Sequence, residues 1–205
     1  MSLVLFLQIF FVCLLGAMSP GPSMIVVINN AVFKNRIHGI YTSIGHGIGI
    51  SIYAVFAVVG ISFIIETNVF IFESIKILSI IFLIYLGVKS LKTNNKINFN
   101  ENKIKENAAS FFQGFSISIL NPKIFTWFVA FYSQFMSVNN EVKFNVFLVL
   151  IAGIVDTCWY ILLTILVTSG ISLNFIRSKS FILQKVIGSL FITIGLLLLI
   201  NILLN

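Results

Sequence analysis

Six stretches of this 205-residue chain are long and apolar enough to cross a lipid bilayer, and they leave little sequence over. They run over 3–27, 40–65, 69–91, 111–136, 144–168 and 181–204. A crossing helix needs about 20 residues. Hydrocarbon supplies no water to a backbone N–H or C=O, so a crossing segment must satisfy these groups itself, as a helix or within a closed barrel. Barrel strands alternate polar and apolar residues over about ten positions, whereas these runs are apolar all round. The expected fold is therefore an all-α integral membrane protein with six transmembrane helices. A mean hydropathy of +1.08 and a charged content of only 9% leave no room for a soluble domain. The first stretch is read as a retained helix rather than a secretory leader, because no Lys or Arg precedes it and Gly16-Ala17-Met18-Ser19 leads straight into prolines.

Two of the six stretches are interrupted. Ser19-Pro20-Gly21-Pro22 falls inside the first and Asn121-Pro122-Lys123 inside the fourth. A proline at membrane depth frees carbonyls that only protein or an aqueous cavity can satisfy. Matching breaks in two halves of a chain are the sequence signature of a substrate site at a repeat interface. The polar run 93–110 divides the chain into two sets of three spans, giving repeat one at 1–92, a linker and repeat two at 111–205 within a single transmembrane domain. Pro20 and Pro122 are 102 positions apart, Gly60 and Gly170 110, and Gly87 and Gly195 108. Three is odd, so the second repeat enters the membrane from the opposite side and the two form an inverted pair.

The net charge of +7 is read by loop, because Lys and Arg in short loops set membrane orientation. Lys34 and Arg36 follow the first span, Lys89, Lys92, Lys96, Lys103 and Lys105 follow the third, and Arg177, Lys179 and Lys185 surround the start of the sixth. These are ten of the thirteen basic residues. They place the loops cytoplasmic and both termini extracytoplasmic, and they account for the charge without nucleic acid.

An ionisable group inside a span costs about 2.5 to 3.5 kcal/mol at the helix centre, so each is a functional candidate. Asp156 is the acid deepest in a span, with Gly153, Trp159 and Tyr160 on the same helical face. A carboxylate between a small gap and aromatic rings suits an ammonium; the alternative is a structural pair with Lys123 that locks two helices. Lys123 follows Pro122, where a half-helix would present the N–H groups of Ile124 and Phe125 to a carboxylate. His46 lies as far before Gly60 as Asp156 lies before Gly170, and a histidine there can carry a proton. Cys13 and Cys158 lack CxxC spacing and read as packing residues. Gly45 and Gly49 have the GxxxG spacing of close helix approach, which serves packing and also offers a surface to a second copy. The sequence contains no nucleophile constellation, phosphate loop or metal-ligand cluster, so neither an enzyme nor a cofactor is expected.

Ser19-Pro20-Gly21-Pro22, the small-residue span with Gly45 and Gly49, Tyr85-Leu86-Gly87-Val88-Lys89, Phe112 through Gly114 leading to Leu120-Asn121-Pro122-Lys123, and Asp156 with Trp159 together resemble the LysE/RhtB amino-acid exporters, or LysE-type translocators. The resemblance covers essentially the whole chain. It implies a bacterial inner-membrane carrier that exports amino acids or related metabolites on the proton or ion gradient.

The expected mechanism is alternating access around a midplane site. The breaks, Ser19 to Pro22 and Asn121 to Lys123, bind the substrate carboxylate, and Asp156 with Trp159 binds its ammonium. Asp156 or His46 carries the proton. A single buried acid leaves no partner for a cationic side chain, which favours neutral amino acids. Two alternatives stand beside this: a metal-cation or small-ion exporter in which His46, Asp156 and Met18 or Met24 converge, and a thiol redox carrier using Cys13 and Cys158.

Overall fold

A computed structural model describes residues 2–92, 110–136, 141–170 and 173–204; most of the 93–110 linker lies outside the described residues. Within them the secondary structure is helical: α1 (Leu3–Met18), α2 (Pro22–Asn29), α3 (Arg36–Thr67), α4 (Val69–Lys92), α5 (Ser110–Ile119), α6 (Pro122–Phe135), α7 (Val142–Thr168) and α8 (Leu173–Leu204). Four helices, α3, α4, α7 and α8, are long and apolar enough to cross a membrane, and five crossings result if α1 and α2 are one broken span. The six stretches read from sequence thus become eight helices, because the first and fourth are each split at the expected prolines.

Both splits follow from backbone chemistry. Proline disfavours the helical region for the residue before it, and Ser19, which precedes Pro20, is extended at φ −64°, ψ 114°. Pro22 then starts α2 at the first helical position, where its missing N–H costs nothing. The chain bends by 69° between α1 and α2 with its π-type turn to Lys34. Pro122 likewise holds Asn121 extended at φ −89°, ψ 103° and begins α6.

α3 is the central helix, packed on α5 along one side and on α7 along another; α4 packs on α8, α1 on α7, and α6 against α3 and α4. Glycines permit the closest of these contacts. A β-carbon on Gly45 would run into the Phe111 carbonyl of α5, one on Gly114 into the Thr42 carbonyl of α3, and one on Gly47 into Thr157 of α7. The glycine face of α3 that the sequence offered to a second copy is therefore covered within the chain. Outward-facing Phe70, Phe56, Phe63, Leu78 and Leu197 are exposed, as suits helices whose outer surface meets lipid.

Glycine replacements test this packing. Gly114→Ala places a methyl against backbone that cannot rotate away, and overpacking costs about 1–3 kcal/mol. Its thermal unfolding midpoint in detergent is expected to fall, while Gly60→Ala, which meets nothing within 4 Å, is expected to match the parent.

Candidate functional site

The two helix breaks meet. Lys123 Nζ, at the start of α6, donates to Ser19 Oγ at the end of α1 over 2.5 Å. Asn121 Nδ2 reaches Ser23 Oγ in the first turn of α2 at 3.5 Å.

The two helix starts differ in what they leave open. Asn121 caps its own helix: its side chain accepts from Lys123 N at 3.1 Å and its carbonyl from Ile124 N at 3.0 Å. The Ile124 donor expected to be available is therefore already used. α2 begins after Gly21, which brings no side-chain cap, and Pro22 has no N–H. The first available donors there are Ser23 and Met24, at the positive end of the helix dipole.

On the far wall of the same space Asp156 Oδ2 meets His46 Nδ1 at 2.7 Å. Asp156 is 5% exposed and His46 1%. Their helices come this close because Gly47 and Gly153 face one another's backbones: a β-carbon on either would approach the other's carbonyl. The sequence offers Lys123 as a structural partner for Asp156. The structure gives Asp156 to His46 and Lys123 to Ser19, since α3 and α7 lie in contact at this level while the start of α6 faces the first break. Because the carboxylate accepts from Nδ1, the other ring nitrogen is left over, and His46 Nε2 has no partner among the described residues. Tyr160 stands edge-on to the imidazole, ring centroids 4.8 Å apart, and its hydroxyl interacts with the Ser23 side chain.

These groups line one cavity that opens to the outside. Its lining includes Ser19, Gly21, Ser23, Asn121, Lys123, His46 and Asp156 together with the apolar Val12, Ile50, Ile124, Phe128 and Phe131. Trp127 forms part of the wall. Its indole lies over Gly16, where a β-carbon would come within 2.7 Å of the ring, and it packs on Phe131 and Phe191.

Of the residues expected at the site, Ser19, Gly21, Asn121, Lys123, Asp156 and His46 line the cavity, and Pro20 and Pro22 shape the break beside it without lining it. The backbone of Pro122 opens α6. Trp159 faces elsewhere, packing against the cluster of Met24, Val27 and Ile28, and Tyr160 takes the aromatic place next to Asp156. Ser23, Trp127, Tyr132 and Cys13 also line the cavity; no sequence signal separates them from packing residues, apart from the position of Ser23 immediately after the second proline of the break. Cys13 and Cys158 are free thiols, the second exposed.

Residues 14–202 match the family described as LysE type translocator. The chain belongs to this family. It is similar to the uncharacterized membrane protein YrhP of Bacillus subtilis (strain 168), 28% identical with 86% of this chain and 90% of YrhP covered. It is also similar to the uncharacterized membrane protein slr1627 of Synechocystis, 24% identical with 95% of each covered. A leucine efflux protein of Salmonella typhimurium is 29% identical over 58% of each chain. No solved structure matches. The LysE-type assignment makes the chain a multi-pass membrane translocator, and the cavity described above is its candidate substrate site.

The His46–Asp156 contact can be tested without a substrate. Removing one member of a buried pair costs about 3–5 kcal/mol, whereas replacing both with apolar residues is close to neutral. His46→Leu is expected to unfold at a lower temperature than the double variant His46→Leu/Asp156→Leu in the same detergent. Equal midpoints would mean that the contact carries no charge pairing.

Proposed function

We propose that this LysE-type translocator exports neutral amino acids across the bacterial cytoplasmic membrane in exchange for protons. In this reading α1 with α2 and α5 with α6 are the two broken spans of a six-span carrier built from inverted repeats, with both termini extracytoplasmic. The pairing of α3 with α7 and of α4 with α8 supports the repeat, since these are the helices that a two-fold axis would exchange. The leucine efflux relative supports an amino-acid cargo, and the apolar wall of Val12, Ile50, Phe128 and Phe131 suits an uncharged side chain. The cation-exporter alternative has less support, because Met18 and Met24 pack into the apolar clusters rather than lining the cavity beside His46 and Asp156.

The observation that carries the proposal is the arrival of Lys123, the open start of α2 and the His46–Asp156 pair in one cavity. A substrate carboxylate replaces Ser19 Oγ at Lys123 and accepts from Ser23 N–H, where helix dipole and ammonium act together. The substrate ammonium binds Asp156. Two cations cannot share that carboxylate in a medium of low dielectric, so the imidazolium gives up its proton to the cytoplasmic side as the ammonium takes its place. On the outer side a proton returns to His46, the imidazolium reclaims Asp156, and the amino acid leaves. One proton moves in for each substrate moved out.

Efflux of labelled leucine from loaded cells, or from vesicles under an imposed pH gradient, tests this. Losing a buried charged partner costs about 2–5 kcal/mol, so Asp156→Asn at equal protein amount is expected to fall to background. Parental efflux from Asp156→Asn removes the aspartate from the mechanism, and an absence of leucine efflux from the parent shifts the cargo to another class.

A further inference from the structure

A second set of buried polar groups lies beyond the cavity, toward the end of the molecule that carries Arg36. α3 and α7 are antiparallel neighbours, and their facing residues step away from the His46–Asp156 pair one turn at a time. On α7 these are Asp156, Tyr160, Thr164 and Thr168, at the four-residue spacing that keeps them on one face. On α3 they are His46, Ser43, Gly39 and Arg36. The seam ends where Arg36 donates to Thr168 Oγ1 at 2.8 Å and to Ser169 Oγ at 3.1 Å.

α2 covers this seam. Its residues Met24, Val27 and Ile28, with Ala31 of the following turn, pack on Tyr160, Leu163 and Val167. A β-carbon on Gly39 would touch Ala31 and Thr164 together, at 2.7 Å from each, so Ala31 sits over Thr164. Asn30 Nδ2 fastens the cover to α5 by donating to Gln113 Oε1 at 2.7 Å. The continuous helical segment 22–34, α2 with its π-type turn, lies between two joints: an extended Ser19 and Gly21 before it and an extended Asn35 after it. A short helix between two such joints can move as a unit.

Three polar atoms along the covered seam have no partner among the described residues: His46 Nε2, Asn30 Oδ1 and Thr164 Oγ1. Their residues are 1% exposed or less. Leaving such a group unpaired is costly, and apolar side chains of the same shape would serve a permanently closed contact better. The cost is recovered if the seam is wet for part of the cycle.

We infer that the α3–α7 seam is a closed inner vestibule, and that α2 is the cover whose departure admits water and the polar end of the cargo to Asp156 from the Arg36 side. The inference rests on the translocator reading only in that the cover must open; it does not depend on which cargo is carried. Thiol labelling separates the two. With Cys13→Ser and Cys158→Ser as background, Thr164→Cys is treated with a membrane-impermeant cationic methanethiosulfonate in sealed vesicles of each orientation. Modification is expected from the Arg36 side, several-fold faster when Gln113→Ala releases the cover, and none from the opposite side. No modification from either side, while the exposed Ser169→Cys reacts, overturns the vestibule. A second variant guards against misfolding: Thr164→Val keeps the shape and removes the unpartnered hydroxyl. It is expected to retain or raise the unfolding temperature yet slow efflux several-fold; unchanged efflux overturns a wetted role for Thr164.

Discussion

The close approach of α3 and α7 at Gly47 and Gly153 is the contact on which the site depends. A carboxylate at membrane depth is tolerated only when it is paired or wet, and Asp156 is paired because the two backbones come near enough for His46 to reach it at 2.7 Å. Side chains at either glycine would hold the helices apart, since a β-carbon on Gly47 meets Thr157 and one on Gly153 meets Ser51. Small residues therefore set the separation at which the buried carboxylate finds its hydrogen-bond partner. The same approach places Tyr160 against the imidazole, and through Ser23 it connects the pair to the first helix break.

The two breaks use one covalent device for two purposes. Proline ends the preceding helix and starts the next in both, but Asn121 closes the Lys123 and Ile124 donors of α6 with its own side chain and carbonyl, while Gly21 at the equivalent place in α2 has no side chain to cap with and its carbonyl takes the later Ile25 N–H. An open helix start attracts an anion through its N–H groups and dipole; a closed one is a rigid mount. Lys123 stands on the rigid mount and extends its charge to Ser19 across the gap. In the proposed carrier the anion subsite thus joins a cation from one half of the chain to donors from the other.

Much of this was legible in the sequence, and the parts that were not share a cause. Span positions follow from the hydrocarbon's demand for satisfied backbone, and the breaks follow from proline, so the splits fell where Pro20 and Pro122 placed them. Buried ionisable residues are rare enough that Asp156, Lys123 and His46 could each be singled out, and all three line the cavity. Which of them pair depends on helix rotation and separation, quantities that apolar sequence does not encode: the periodicity placing Trp159 and Tyr160 both near Asp156 cannot say which faces the cavity. The self-capping of Asn121 was similarly hidden, because an asparagine before proline can turn its side chain inward or outward with equal local chemistry. Cys13 and Gly16 belong to a helix whose other residues are apolar apart from Gln8, so nothing in their spacing separates cavity from packing.

In the proposed empty carrier Asp156, the His46 imidazolium and the Lys123 ammonium sum to one positive charge. Binding a zwitterion adds none, and the proton lost from His46 removes one, so the loaded carrier is neutral. The cargo then crosses without working against the membrane potential, and the empty carrier returns its positive charge in the direction that a negative interior favours. A full membrane potential acts on a moved charge with about 2.3 kcal/mol per 100 mV, comparable with the cost of keeping an ionisable group at membrane depth. A second buried acid would cancel the charge on the returning carrier and give up that drive, so the solitary carboxylate fits a carrier powered on its unloaded step.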